Sequence, residues 1–346
     1  MILIESLTLR SAGGAGLLVH LTRELHVRKI EFTVLAHVSL ERFELYGNVV
    51  YFGATWISCG KIFDKFYKKT ENVTSVLFFG NYPMRKKVDV PTFTSFQNLH
   101  LLNLRIPITS GWKWSLKRAY LKFYLNNSDF YIFPTQYVAE EFIKTYGLES
   151  NRSLTIPFYE QNKLSVWIDE NRGKLFKEDS FIYASSASAH KNHESLLSAW
   201  EHLANKGLYP KLKLTLRKDE RSLMLTEKID ELKLKGVLIE NLSADGFLPY
   251  DKMLCSTYEC KYTIYPSLIE TFGFGHVEGA MMENIVLAAD LPHVEPVISP
   301  SYKFDPKNPL SIAMAVERAL TNTSHPPTIL HFNDKVDLLI DILAKA

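Results

Sequence analysis

Tyr262-Thr-Ile-Tyr265 leads into Pro266-Ser-Leu-Ile-Glu270-Thr-Phe-Gly-Phe-Gly-His-Val-Glu278, and the reading of this stretch decides the fold. The apolar run from Tyr262 to Tyr265 reads as a buried strand. Gly273 and Gly275 break the backbone, and Val277, Ala280 and Met281 then read as a helix. The expected unit is strand, glycine-bearing turn, helix, the repeating element of a parallel sheet. At the start of such a helix the N–H groups of Phe272, Gly273 and Phe274 point outward and make a ready site for phosphate. Glu270 lies in the turn beside that site. Glu278 lies on the helix, roughly two turns on and so close to the same face. A carboxylate near a phosphate is tolerable where it accepts hydrogen bonds from sugar hydroxyls. Amides for a diphosphate and carboxylates for hydroxyls together describe a nucleotide-sugar pocket.

Outward from this stretch the same alternation recurs. Strands are expected at Ile2–Leu7, Ile30–Leu35, Val49–Phe52, Val76–Phe79, Phe93–Phe96, Phe130–Phe133 and Leu154–Phe158. Helical spacing covers Leu17–Leu25 and Val138–Tyr146. The second half repeats the pattern, with strands near Phe181–Ala184, Leu212–Leu216, Val237–Glu240, Tyr262–Tyr265 and Ile285–Ala289. Apolar strands alternating with amphipathic helices imply α/β architecture with helices on both faces of parallel sheets. The polar, charged stretch from Tyr159 to Asp179 suits a linker. The expected division is therefore a Rossmann-like domain over 1–160, a linker over 161–179, a second Rossmann-like domain over 180–325 and a C-terminal helix within 326–346.

Composition narrows the class. A chain of 346 residues with 46% hydrophobic and 23% charged residues is that of a globular protein of two ordinary domains. No apolar run approaches the roughly 18 residues that span a bilayer, and the N-terminal residues Met1 to Ser6 do not read as a secretory signal. The three cysteines, Cys59, Cys255 and Cys260, lack metal-type spacing and are expected as reduced thiols in a cytoplasmic protein. A net charge of +2 argues for no nucleic-acid partner.

Two further positions point to phosphate. Gly13-Gly-Ala-Gly16 falls between the first strand and the first helix, where glycine lets backbone approach a diphosphate or simply forms a turn. Lys191 falls between a strand and a helix over Asn192 to Leu203, with Asn192 as its N-cap. A lysine at a helix start opposes the helix dipole unless an anion meets it, so Lys191 is read as a phosphate ligand rather than a solvated side chain.

The arrangement Pro-Ser-x-x-Glu-x-Phe-Gly with Glu-x7-Glu resembles the large class of retaining glycosyltransferases with the GT-B fold. The resemblance extends upstream through Phe181 to Trp200, which looks like that family's strand, phosphate loop with lysine, and helix. It extends downstream through Asn284 to Asp290 and Tyr302 to Ile312, so that it covers about 180–320. It implies two Rossmann-like domains facing a central cleft, the first binding acceptor and the second the nucleotide sugar, with the last helix packing back on the first domain. It implies that Glu270 contacts the transferred sugar beneath its anomeric carbon and that Glu278 accepts from ribose hydroxyls. Thr271 and the amides of Phe272, Gly273 and Phe274 would line sugar and phosphate, with Gly13 and Gly14 closing over the diphosphate from the other domain. The catalytic set so implied is Glu270, Lys191 and Asn98. Asn98 and Gln97, with His100 as alternative, end the strand that faces the reacting sugar in that family. No Asp-x-Asp pair occurs in the chain, which fits a class that uses neither a metal nor another cofactor. The chain departs from the family at Ser186, where many members carry arginine, so a second positive charge is sought at Arg217 or Lys218. It departs again at His276, read as capping, packing or touching ligand. Arg10 is a weaker candidate for added charge, and His190 and His193 are read as surface residues or neighbours of the site.

The acceptor expected by resemblance is a sugar hydroxyl on a glycan or lipid-linked oligosaccharide, as in lipopolysaccharide or O-antigen assembly at the inner face of the cell membrane. The basic, aromatic stretch Gly111 to Leu125 is read either as a core-packed helix with snorkelling lysines or as a peripheral contact with an anionic membrane. Three other functions stay in view: a sugar-nucleotide epimerase, a silent nucleotide-sugar-binding protein, and a dehydrogenase. The last lacks the Gly-x-Gly-x-x-Gly fingerprint.

Overall fold

Parallel strands carry both halves of the chain. The computed structural model describes every residue except 105–110, 217–219 and 244–247, with backbone only at 220 and 221. The chain separates into two units, one of Met1–Gln161 with Asn333–Ala346 and one of Asn162–Phe332.

The first unit holds seven strands: β1 (Ile2–Ser6), β2 (Phe32–His37), β3 (Asn48–Phe52), β4 (Ser75–Phe78), β5 (Thr92–Ser95), β6 (Phe130–Phe133) and β7 (Ser153–Thr155). They pair in the order β3-β2-β1-β4-β5-β6-β7, all parallel, with Ile4 opposite Val34 on one side and Leu77 on the other. Ile2, Leu3 and Ile4 are all buried, as strands covered on both faces must be. Its helices are α1 (Ala12–Val27), α2 (Cys59–Tyr67), α3 (Trp112–Phe123) and α4 (Gln136–Tyr146).

The second unit contains helices α5 (Gln161–Asn171), α6 (His193–Asn205), α7 (Glu220–Leu234), α8 (Tyr250–Glu259), α9 (Phe274–Met281) and α10 (Pro309–Thr321). Its strands are β8 (Glu178–Tyr183), β9 (Lys211–Leu214), β10 (Ile239–Asn241), β11 (Cys260–Tyr265), β12 (Ile285–Ala289), β13 (Ile298–Ser299), β14 (Tyr302–Phe304) and β15 (Ile329–Leu330). Six of them form a parallel sheet ordered β10-β9-β8-β11-β12-β14, and β13 pairs antiparallel with β15. The last helix, α11 (Val336–Lys345), belongs to the first unit. Leu339, Ile340 and Leu343 are buried there, and Ser75 donates to the Leu343 carbonyl at 2.7 Å. His20 on α1 meets Asp334 at 2.7 Å, just ahead of α11.

The α/β class with two Rossmann-like sheets is the one expected. Three local readings change. Residues 161–171, assigned to a linker, form α5, and β8 begins at Glu178. The first helix starts at Ala12 rather than Leu17, because Ser11 caps it and Ala15 and Leu18 are buried. Helices α2, α7 and α8 were not anticipated. Among the described residues no helix is long and apolar enough to cross a membrane.

Each parallel sheet reverses strand order once, between β1 and β4 and between β8 and β11. Ligands of such sheets bind outside the carboxyl ends of the strands at that reversal. The segments leaving β8 and β11 are those that carry Lys191 and Glu270.

Candidate active site

After β8 the chain runs through an exposed serine, Ser186, to a single helical turn over Ala189–Lys191. Asn192 follows with φ 59°, a left-handed conformation that asparagine tolerates. Asn192 precedes α6, as expected, but does not cap it with its side chain. The turn at φ 59° points the amide elsewhere: it donates to the Pro266 carbonyl at 3.1 Å and the Pro306 carbonyl at 2.6 Å. Two further links bind the loops together. The Leu268 N–H donates to the His190 carbonyl at 2.8 Å. Tyr183, at the end of β8, donates its hydroxyl to the Lys191 carbonyl at 2.8 Å and lies 2.9 Å from the Ser267 hydroxyl.

This stitching brings two of the expected residues into contact. Lys191 Nζ lies 2.5 Å from Glu270 Oε1, with the side chains 21% and 14% exposed. Burial alone would raise the Glu270 carboxyl, but the Lys191 charge and hydrogen bond and the Ser267 hydroxyl outweigh it and hold the group at about 2. Glu270 is therefore a fixed negative charge at any physiological pH, and Lys191 is its counter-ion.

Beyond Glu270 the chain turns into α9 through Gly273, whose φ of 85° lies in the left-handed region. A Cβ at this position would overlap the His276 ring. The helix begins at Phe274, so Gly275 is its second residue rather than a break. Gly275 is required by a close approach: a Cβ there would stand 2.7 Å from the Tyr265 ring, whose hydroxyl donates to the Gly275 carbonyl at 2.6 Å. Thr271 is half-buried. Phe272 is buried against Phe274 and Phe332, at centroid distances of 5.5 and 4.9 Å, so its side chain serves packing.

Glu278 is 6% exposed on α9 and accepts the Tyr250 hydroxyl at 2.8 Å. Tyr250, the first residue of α8, was not foreseen. The carboxylate thus already holds a hydroxyl, the kind of partner expected for it. His276 packs on Tyr265 with ring centroids 4.4 Å apart, its Nδ1 lies 3.3 Å from the Gly273 carbonyl, and Nε2 has no hydrogen-bond partner among the described residues. Burial pushes His276 and His293 down to about 4, so both rings are neutral at pH 7. His193, expected at the surface or beside the site, is 2% exposed and packs tilted against Tyr183, with ring centroids 4.8 Å apart. His190 is half-buried. Arg217 and Lys218, candidates for a second positive charge, lie outside the described residues. Among the described residues no three His, Cys, Asp or Glu side chains are grouped to hold a metal ion.

The candidates in the first unit fall at the carboxyl ends of β1 and β5. Gly13 and Gly14 are not a turn but the first turn of α1, with the Gly14 N–H donating to Ser11 Oγ at 3.2 Å. A Cβ on Gly14 would stand 2.6 Å from Leu9 Cδ1. Arg10 donates to the carbonyls of Leu7, Leu9 and Ala54 at 2.8 to 3.0 Å, which directs its guanidinium to backbone. Asn98 caps the turn Leu99–Leu101 by accepting from the His100 N–H at 3.1 Å. Gln97 donates to Ser95 Oγ at 3.0 Å, and its Oε1 lies near Gly14. His100 stacks on Trp114 at 4.9 Å.

No family model and no curated protein matches the chain in sequence. Solved structures match its fold throughout. Sucrose-phosphate synthase from Thermosynechococcus elongatus superposes with TM-score 0.69 at 14% identity, over 93% of this chain and 90% of its own. A glycosyltransferase from Rickettsia africae does so with TM-score 0.66 at 14% identity, over 99% and 93%. HepE from Anabaena, solved with UDP and glucose, does so with TM-score 0.65 at 15% identity, over 93% and 90%. The chain has the GT-B fold.

Proposed function

We propose that this chain is a retaining glycosyltransferase that moves a hexose from a nucleoside-diphosphate sugar to a hydroxyl of a glycan or lipid-linked acceptor. The observation that carries the reading is the Lys191–Glu270 pair, 2.5 Å apart and held by two tied loops at the carboxyl ends of β8 and β11. A lysine and a carboxylate that neutralise each other are matched to a substrate that separates charge. Lys191 and the amide end of α9 take the departing diphosphate. Glu270, relieved of its counter-ion, faces the positive charge that grows on the anomeric carbon. The acceptor oxygen bonds to the anomeric carbon as the bond to the diphosphate oxygen breaks on the same face, and the acceptor proton leaves with the diphosphate. With Lys191 and amides neutralising the leaving group, the reaction needs no divalent cation. Glu278 exchanges the Tyr250 hydroxyl for those of the ribose, while Gln97 and Asn98 mark the acceptor end in the first unit.

Similarity of fold to HepE, solved with UDP and glucose, and to a UDP-forming trehalose-phosphate synthase from Burkholderia xenovorans supports UDP as the donor nucleotide. A cytoplasmic role in lipopolysaccharide or related polysaccharide assembly follows from the sequence resemblance. The test is UDP release from UDP-hexoses with sugar acceptors, in the presence of EDTA, with the product anomer read by proton NMR. Acceptor-dependent release with retained configuration, lost in Glu270→Gln, supports the reading. Donor isomerisation without acceptor makes the chain an epimerase. Binding without turnover in either protein makes it a sensor. Thermal unfolding with UDP, GDP, dTDP, CDP, ADP and NAD separates a dehydrogenase: a ligand at a hundred times its Kd adds about 2.7 kcal/mol, and stabilisation by NAD alone overturns the transferase reading.

A further inference from the structure

Helix α3 has the sequence Trp-Lys-Trp-Ser-Leu-Lys-Arg-Ala-Tyr-Leu-Lys-Phe and buries only Leu121. Its attachment to the first unit is aromatic. Tyr120 sits 5.0 Å from Trp56 and 5.9 Å from Tyr82, and its hydroxyl donates to the Pro83 carbonyl at 3.3 Å. The face turned to solvent is apolar. Trp112, Leu116 and Phe123 are 70%, 57% and 80% exposed, and Ala119 is exposed between them. At about 100° per residue these four positions fall within an arc of about 60°, opposite Leu121. The same wheel places Lys113 and Lys117 along one edge of the stripe and Arg118 and Lys122 along the other. The helix carries no acidic residue. Trp56, in contact with Tyr120, is followed by Ile57, which is 71% exposed.

We infer that α3 lies on an anionic lipid bilayer, with Trp112, Leu116 and Phe123 entering the headgroup boundary and the flanking lysines meeting lipid phosphates. The geometry chooses this occupant. A solvent-facing apolar stripe bordered by cations on both edges matches an apolar layer beneath a negative surface. Lysines reach the headgroups while their stems cover the stripe, and a tryptophan at the helix end suits the interface. A second copy of the chain would set an all-cationic face against itself, since a two-fold contact uses the same patch twice. The inference stands whether or not the chain transfers sugar.

The experiment is flotation of the full chain with vesicles of phosphatidylcholine alone and of an equal phosphatidylcholine and phosphatidylglycerol mixture, at low and high salt. The expected result is flotation with the anionic vesicles only, weakened by salt. The variant Trp112→Ser/Leu116→Ser/Phe123→Ser, whose sites are exposed, should keep the wild-type unfolding midpoint and float at least tenfold less. Lys113→Gln or Lys122→Gln should each lower binding about fivefold. Failure of the wild type to float with anionic vesicles at low salt overturns the inference, as does undiminished flotation of the triple variant. A wild-type dimer that the triple variant dissolves also overturns it, since the face would then be a self-contact.

Discussion

Tyr250 gives its phenol hydrogen to Glu278 at 2.8 Å, which ties the start of α8 to the middle of α9 through a carboxylate only 6% exposed. Tyr250 itself is 48% exposed, so its hydroxyl can be exchanged for one from a ligand. Tyr250→Phe should lower stability by about 1 kcal/mol, the value of one hydrogen bond with an accessible partner. Glu278→Gln should raise the donor KM about tenfold with a smaller change in kcat, because the ribose contact proposed for Glu278 would be made equally in ground and transition states. Equal loss in kcat would place Glu278 in the chemistry instead.

Lys191→Met strands the Glu270 carboxylate, and a part-buried pair broken on one side should cost about 2 to 3 kcal/mol in urea unfolding. Lys191→Met/Glu270→Gln should recover part of that loss, since no unpaired charge remains. Both single variants should lower kcat by at least about a hundredfold. A double variant less stable than Lys191→Met alone would show that the pair does not balance as described.

Acid should report the same pair. The folded Glu270 carboxyl is held at about 2, below its ordinary 4.5. Its contribution to stability is therefore complete above about 4.5 and is lost as pH falls toward 2. The wild type should lose about 2 to 3 kcal/mol more than Glu270→Gln over that range, measured by urea midpoints at successive pH values.

Gly273→Ala should destabilise the chain by about 2 kcal/mol or more, through a non-glycine residue at φ 85° and the clash with the His276 ring. Gly273→Ala/His276→Ala should relieve the clash but not the backbone cost, leaving about 1 to 2 kcal/mol. Full recovery would show that the conformation at 273 carries no strain.

Asn192→Gly keeps the left-handed turn but removes both amide hydrogen bonds to Pro266 and Pro306. It should cost about 1 to 2 kcal/mol and reduce kcat by freeing the Lys191 loop from the Glu270 loop. Asn192→Ala should cost about 1 kcal/mol more, the price of φ 59° for a residue with a Cβ.

The division between what the chain announces and what it conceals follows from distance. Glu270 and Glu278 are legible because strand, glycine turn and helix are written in one continuous stretch, and Lys191 because it interrupts the same pattern. Tyr250 is silent because its partner lies on another helix. Asn192 misleads because asparagine before a helix ordinarily caps it, whereas here the φ of 59° sends the amide across to β11 and beyond. Gly13 to Gly16 suggests a turn by composition, yet Ser11 and the buried Ala15 and Leu18 start the helix at Ala12 against glycine's poor propensity. The stretch Gly111 to Leu125 allows two readings because lysines and aromatics alternate along it; only the exposure of Trp112, Leu116 and Phe123 shows which face is turned to solvent.

The C-terminal helix has a consequence for how the molecule is made. The unit that begins at Met1 includes Asn333–Ala346 and wraps in sequence around the other, so it is encoded in two pieces. During synthesis residues 162–332 emerge whole and free to fold, while β4 and α1 wait uncovered until α11 leaves the ribosome. The unit whose strands are made first is thus closed only by a helix that follows the whole of the other unit in sequence.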